Sequence, residues 1–152
     1  MPEPVTVCNS SCLIALEAIG RLDLVQRLYG TITIPEAVAA EYGSALPPWL
    51  QVHPVQHQGT VRSLRLHLGA GESEAIALAE EMSAARLMLD DKKARRIARQ
   101  LNLPVTGTVA ILIQAKQRGL IPKLSDILDQ LTATGFFLSD TLAEAALRQV
   151  GE

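Results

Sequence analysis

With 152 residues the chain is long enough to bury one proper core. A formal net charge of −2 excludes a general polycation, so any contact with nucleic acid has to come from a local basic patch. Aromatic residues make up 3% of the chain, which argues against a surface that stacks bases on exposed rings.

Val5-Thr6-Val7-Cys8 reads as a β-branched strand that breaks at Asn9-Ser10-Ser11 and restarts as an apolar helix. Ser10 or Ser11 can cap that helix, which runs to about Ile19 and closes at Gly20. Arg21 to Leu28 reads as a second short helix ended by Gly30, and Thr31 to Ile34 as a second strand. Pro35 is expected at the first helical position of a helix that ends before Gly43. Ser44 to Gly59, with Pro47, Pro48 and Pro54, reads as an irregular surface excursion, with Trp49 either buried beneath it or facing a partner.

Helical spacing resumes over Thr60 to Leu68, is interrupted by Gly69-Ala70-Gly71, and continues from Glu72 to Met82. Arg86 to Leu89 is a third strand that stops at Asp90-Asp91. An amphipathic helix over Lys92 to Leu101, a short strand at Pro104 to Thr106 and an apolar helix over Thr108 to Gln117 follow. Ser125 to Leu131 and Asp140 to Val150 read as closing helices around Phe136-Phe137. Strands alternating with helices indicate an α/β class with a parallel sheet, and no repeat or linker divides residues 1–152 into more than one domain.

Met1-Pro2-Glu3-Pro4 shows no basic segment leading into an apolar run, so no signal peptide is expected. No apolar run approaches a membrane span, and a soluble cytoplasmic protein is the expectation. Cys8 and Cys12 flank the strand-to-helix break and read as reduced and packed. Paired with His53 and His57 they have ligand-like spacings for zinc, but Pro54 interrupts a helical histidine pair and nothing links the two halves.

The residues with chemical potential are mostly acidic. Open α/β sheets bind ligands beyond the carboxyl ends of their strands, which is where Asn9 to Ser11 and Asp90-Asp91 fall. Glu41 lies in the last turn of its helix, where the macrodipole disfavours a negative charge by roughly 0.3–1 kcal/mol. Glu72 and Glu74 lie in a first turn, where dipole compensation alone explains them. Glu41, Glu74 and Asp91, together with the Asn9 segment, read as one site for a divalent cation, because converging carboxylates repel one another unless a cation neutralises them. The helix after Asp91 carries Lys92, Arg95, Arg96 and Arg99 on one face, cations suited to a phosphate backbone.

Five segments in order carry a family resemblance. They are Asn9-Ser10-Ser11 with Leu13-Ile14-Ala15-Leu16, Ile34-Pro35-Glu36-Ala37-Val38 leading to Glu41, and Gly71-Glu72-Ser73-Glu74-Ala75-Ile76-Ala77-Leu78-Ala79. Leu89-Asp90-Asp91-Lys92-Lys93-Ala94-Arg95 and Val105-Thr106-Gly107-Thr108 ahead of Gly119-Leu120-Ile121-Pro122 complete the set. In these the chain resembles the PIN-domain family of metal-dependent ribonucleases, and most of all a branch similar to the toxins of toxin–antitoxin pairs.

The resemblance implies a three-layer α/β/α fold around a parallel sheet of four or five strands, with Mg²⁺ or Mn²⁺ as cofactor and RNA as substrate. It places the family's acidic tetrad on Asn9, Glu41, Glu74 and Asp91, with Asp90 beside it as a further metal ligand and Ser11 as a hydroxyl near the metal. It also implies a homodimer and a small antitoxin protein as partners. Two positions depart from the pattern. Asn9 stands where the family usually has aspartate and so offers a carbonyl oxygen but neither charge nor basicity; Cys12 stands where proline is common. The first departure keeps open a second reading, a PIN-like RNA- or protein-binding module without turnover.

Overall fold

The computed structural model describes residues 4–152; the expectation about the opening segment therefore lies, for Met1 to Glu3, outside the described residues. Strands β1 (Thr6–Cys8), β2 (Ile32–Ile34), β3 (Leu50–Val52), β4 (Arg86–Met88) and β5 (Val105–Thr106) form one sheet in the order β3-β2-β1-β4-β5. Every pairing in it is parallel. Val7, Cys8, Ile32, Ile34, Leu87 and Met88 are buried, because a parallel sheet carries helices on both faces and its inner strands read as continuous apolar runs.

Nine helices surround the sheet among the described residues. They are α1 (Ser10–Ala18), α2 (Asp23–Tyr29), α3 (Glu36–Tyr42), α4 (Gln58–Leu64), α5 (Ala70–Glu81), α6 (Lys92–Gln100), α7 (Thr108–Gln117), α8 (Leu124–Ala133) and α9 (Asp140–Gln149). α5 packs on β1 and β4 and against α3 and α4; α2 packs on β2 and against α7, which is joined by α8 and α9. The architecture is the expected three-layer α/β/α, with five strands. No helix among the described residues is long and apolar enough to cross a membrane.

Four local readings change. β3 falls inside the stretch expected to be irregular. It is an edge strand with only Leu50 buried, so its two outward residues carry no strand-like apolar pattern, and the flanking prolines lie outside its ladder. Trp49, half-buried against the core, is the residue whose carbonyl accepts the Ile32 N–H at 2.8 Å, so the tryptophan introduces the strand. The Gly69-Ala70-Gly71 break is instead the start of α5, with Gly69 as its cap. The cap of α1 is Asn9 rather than either serine, and Pro35 caps α3 from just outside it.

The sheet order positions the site. The chain moves from β1 outward to β2 and β3, then crosses back to lay β4 on the other side of β1. The strand order reverses between β1 and β4, the topological position beyond whose carboxyl ends open α/β sheets place their ligand crevices. Cys8 and Met88 are level across the pair, and the Asn9 N–H donates to the Met88 carbonyl at 3.0 Å. Asn9, Asp90 and Asp91 thus emerge side by side at the crevice.

Candidate acidic site

Asn9 is the first element of the site. It is 4% exposed, and its Nδ2 donates to Ser11 Oγ at 3.4 Å. Its Oδ1 is enclosed and has no hydrogen-bond partner. A buried carbonyl oxygen without a donor is costly and calls for a ligand or an ordered water.

Glu41 comes from the opposite wall. Its Oε2 accepts from Ser10 Oγ at 2.6 Å and its Oε1 from the Gly71 N–H at 2.9 Å. The Gly71 amide is one of the free donors at the start of α5, so the charge that is misplaced on its own helix is compensated by the positive end of another. The approach is close enough to require glycine. A Cβ at position 71 would come within 2.5 Å of Glu41 Oε2.

Glu74 is held by one oxygen at α3. Its Oε1 accepts from the Ala37 N–H at 3.1 Å, at the start of α3. A further carboxylate, Glu72, which the sequence reading assigned to dipole compensation, feels the charges of Asp91 and Glu41. Burial pushes the Glu72 carboxyl above its ordinary value of 4.5, and the negative charges of Asp91 and Glu41 push it further. Helical rotation separates the two glutamates: Gly71 and Glu74 meet α3, Ser73 is buried, and Glu72 lies on a different face of α5 from Glu74.

Asp90 and Asp91 diverge although adjacent. Asp91 caps α6, its Oδ2 accepting from the Ala94 N–H at 2.8 Å. Asp90 is enclosed by donors: Thr108 N–H to Oδ1 at 2.8 Å, Thr108 Oγ1 to Oδ2 at 2.6 Å, and Cys12 Sγ to Oδ2 at 3.3 Å. It ties the end of β4 to the starts of α7 and α1. Cys8 and Cys12 are both free and buried. The Cys12 thiol is raised well above its ordinary value, first by its hydrogen bond with Cys8, then by burial and by the Asp90 charge.

Lys92, Arg96 and Arg99 are exposed along α6, whereas Arg95 is half-buried beside Asp90 and Gly107. His53 and His57 line a surface cleft with Leu78 and Glu81 that shares no residue with the acidic group.

As the side chains stand, no three carboxylate, imidazole or thiol groups among the described residues are gathered for one ion. The donor set nevertheless suits a hard divalent cation, which takes oxygen ligands, keeps several of its waters and needs only one or two carboxylates. Two observations fit such an ion: the orphaned Asn9 Oδ1, and the crowding of Glu72 by Asp91 and Glu41, which a cation would relieve.

Compared with known proteins, residues 5–152 match a family model described as a PIN domain. No curated protein matches the chain.

Proposed function

Because the chain belongs to the PIN-domain family, whose members are generally nucleases, we propose that it is a metal-dependent ribonuclease hydrolysing RNA phosphodiester bonds. Within that reading it is the toxin-like member of a toxin–antitoxin pair, cytoplasmic and homodimeric, and held in check by a small antitoxin protein. The observation that carries the activity is the enclosed, unsatisfied Asn9 carbonyl oxygen at the carboxyl end of β1, with the charges of Asp91 and Glu41 acting on Glu72.

Asn9, Glu41, Glu72 and Asp91 would hold Mg²⁺ or Mn²⁺; Glu72 enters the set because its carboxyl feels the charges of both Asp91 and Glu41, whereas Glu74 Oε1 accepts from Ala37. When bound, such an ion activates water and stabilises negative charge on a phosphoryl group. The protein's own contribution is positional. Ser10 and the Gly71 amide fix Glu41, the Ala94 amide fixes Asp91, and Asp90 holds the starts of α1 and α7 in place. The exposed cations Lys92, Arg96 and Arg99 supply a positive field along which a phosphate backbone can lie. Ser11, exposed and in contact with Asn9, is placed to orient that amide.

One observation favours a second reading. Asn9 carries no charge, so the site has one negative charge fewer than an all-carboxylate tetrad and holds a cation more weakly; the same scaffold without turnover would be an RNA- or protein-binding module. The deciding assay is cleavage of mixed single-stranded RNA with Mn²⁺, Mg²⁺ or chelator, comparing wild type, Asp91→Ala and Asn9→Asp. Metal-dependent cutting lost in Asp91→Ala supports the nuclease. A silent wild type beside an active Asn9→Asp supports the binding module.

A further inference from the structure

Arg95 stands apart from the other cations of α6. Its Nε is enclosed and has no hydrogen-bond partner. The ion pairs among the described residues are Arg21–Asp23, Arg27–Asp23 and Lys116–Glu152, and none includes it. A guanidinium turned half inward without a carboxylate is expensive, because it gives up hydration and receives nothing.

Its surroundings show why the charge is held there. An added Cβ at Gly107 would lie 3.1 Å from Arg95 Nη1 and 3.1 Å from Asp90 Oδ1, so glycine keeps open a narrow gap between the two. Asp90 is the nearby anion, yet both of its oxygens are engaged by Thr108 and Cys12 and it forms no ion pair with Arg95. The terminal Nη donors are in no ion pair among the described residues, and Nη1 stands at the gap beside Asp90, so this end of the guanidinium is free to take an acceptor. That fork matches the oxygens of a phosphate, and a lysine would not reproduce it.

We propose that Arg95 grips one phosphate of the RNA strand by a bidentate contact, distinct from the diffuse field of Lys92, Arg96 and Arg99, and that Gly107 is glycine to leave room for it. The assignment rests on the ribonuclease reading for the identity of the strand. Arg95 is a positioning residue here: it fixes where the backbone lies relative to Asp91.

The test uses full-length protein and a 2′-O-methyl oligoribonucleotide, followed by fluorescence anisotropy in chelator across a salt series. Arg95→Lys retains charge but loses the fork, so affinity should fall about tenfold with an unchanged salt slope. Arg95→Gln should also lower that slope by about 0.7, the share of one single-strand phosphate contact. Arg96→Lys, the charge-matched reference, should fall less than twofold. Gly107→Ala, which keeps every charge, should reproduce the Arg95→Lys loss. Thermal melts establish that each variant is folded.

Arg95→Lys binding as wild type would overturn the grip, since charge alone would then suffice. A second arm uses inorganic phosphate against chloride at matched ionic strength. Stabilisation by phosphate that Arg95→Lys abolishes, with RNA affinity unaffected by that variant, would assign the gap to a free anion and overturn the RNA contact. Wild type that binds no RNA would remove this inference and the ribonuclease reading together; metal-dependent cutting with an indifferent Arg95→Lys would remove this inference alone.

Discussion

Glu41 and Glu74 exchange helix ends. Glu41, in the last turn of α3, accepts from Gly71 at the start of α5, and Glu74 of α5 accepts from Ala37 at the start of α3. The two helices therefore run antiparallel, each placing a carboxylate at the positive end of its neighbour. One half of this exchange belongs to the candidate site and the other half builds its wall.

Glu74→Ala should accordingly cost stability rather than metal binding. Loss of a carboxylate bonded to a helix-start amide is worth about 0.5–2 kcal/mol, measurable by urea unfolding. Stabilisation of the protein by Mn²⁺ should survive in Glu74→Ala and disappear in Glu72→Ala. The reverse pattern would return Glu74 to the ligand set.

Glu72 makes a signed prediction with pH. Its carboxyl titrates above the ordinary value in the fold, so the native state holds the proton more tightly than the unfolded chain. The associated stability is present below the unfolded value and is lost as pH rises through the folded one. In metal-free protein, Glu72→Gln should therefore melt higher than wild type at neutral pH, with the gap closing toward pH 4. Saturating Mg²⁺ or Mn²⁺ should raise the wild type and leave Glu72→Gln unmoved.

Gly71→Ala should reverse sign with its neighbour. In wild type the new Cβ meets Glu41 Oε2 at 2.5 Å and should destabilise by about 1–3 kcal/mol. In a Glu41→Ala background the collision is gone, and alanine should stabilise α5 by up to about 1 kcal/mol over glycine. A thermal or urea double-mutant cycle reads the coupling directly; equal effects in both backgrounds would contradict the contact.

Cys12 should be chemically silent in the native protein. Its thiol is buried, bonded to Cys8 and Asp90, and raised well above its ordinary value, so little thiolate is available at neutral pH. Alkylation followed by mass spectrometry should label neither cysteine until denaturant is added. Rapid labelling of the folded protein would mean that the start of α1 opens readily.

The fold was legible wherever apolar periodicity and glycine punctuation agreed, as in the apolar helix over Thr108 to Gln117 and the short strand before Asp90. β3 was not, because an edge strand with one buried side chain has no alternation to detect. Within the site, Asp91 was legible from its place after a strand, and Glu41 from a charge at odds with its own helix. That Glu72 feels the charges of Asp91 and Glu41 while Glu74 is bonded at α3 was not. Both lie near the start of α5, and the rotation that separates them is fixed by Gly71 meeting Glu41, a contact between two helices. The signal for it was present in Gly71, a glycine read as a break that in fact marks a close approach.

The central position of β1 has a consequence for when the candidate site forms during folding. The strand that leads into Asn9 completes its ladder only when β4 is in place; the Arg86 guanidinium donates to Thr6 across a separation of 80 residues. Closing so long a loop is slow, and it comes before any of the non-local contacts repay it. A nascent chain that has formed β1, β2 and β3 therefore owns Asn9 and Glu41, with Ser11 and Ser10 beside them, but neither Gly71, Glu72 nor Asp91. The candidate site is therefore assembled in one late event, and partly made or partly unfolded copies of this protein are expected to lack it altogether.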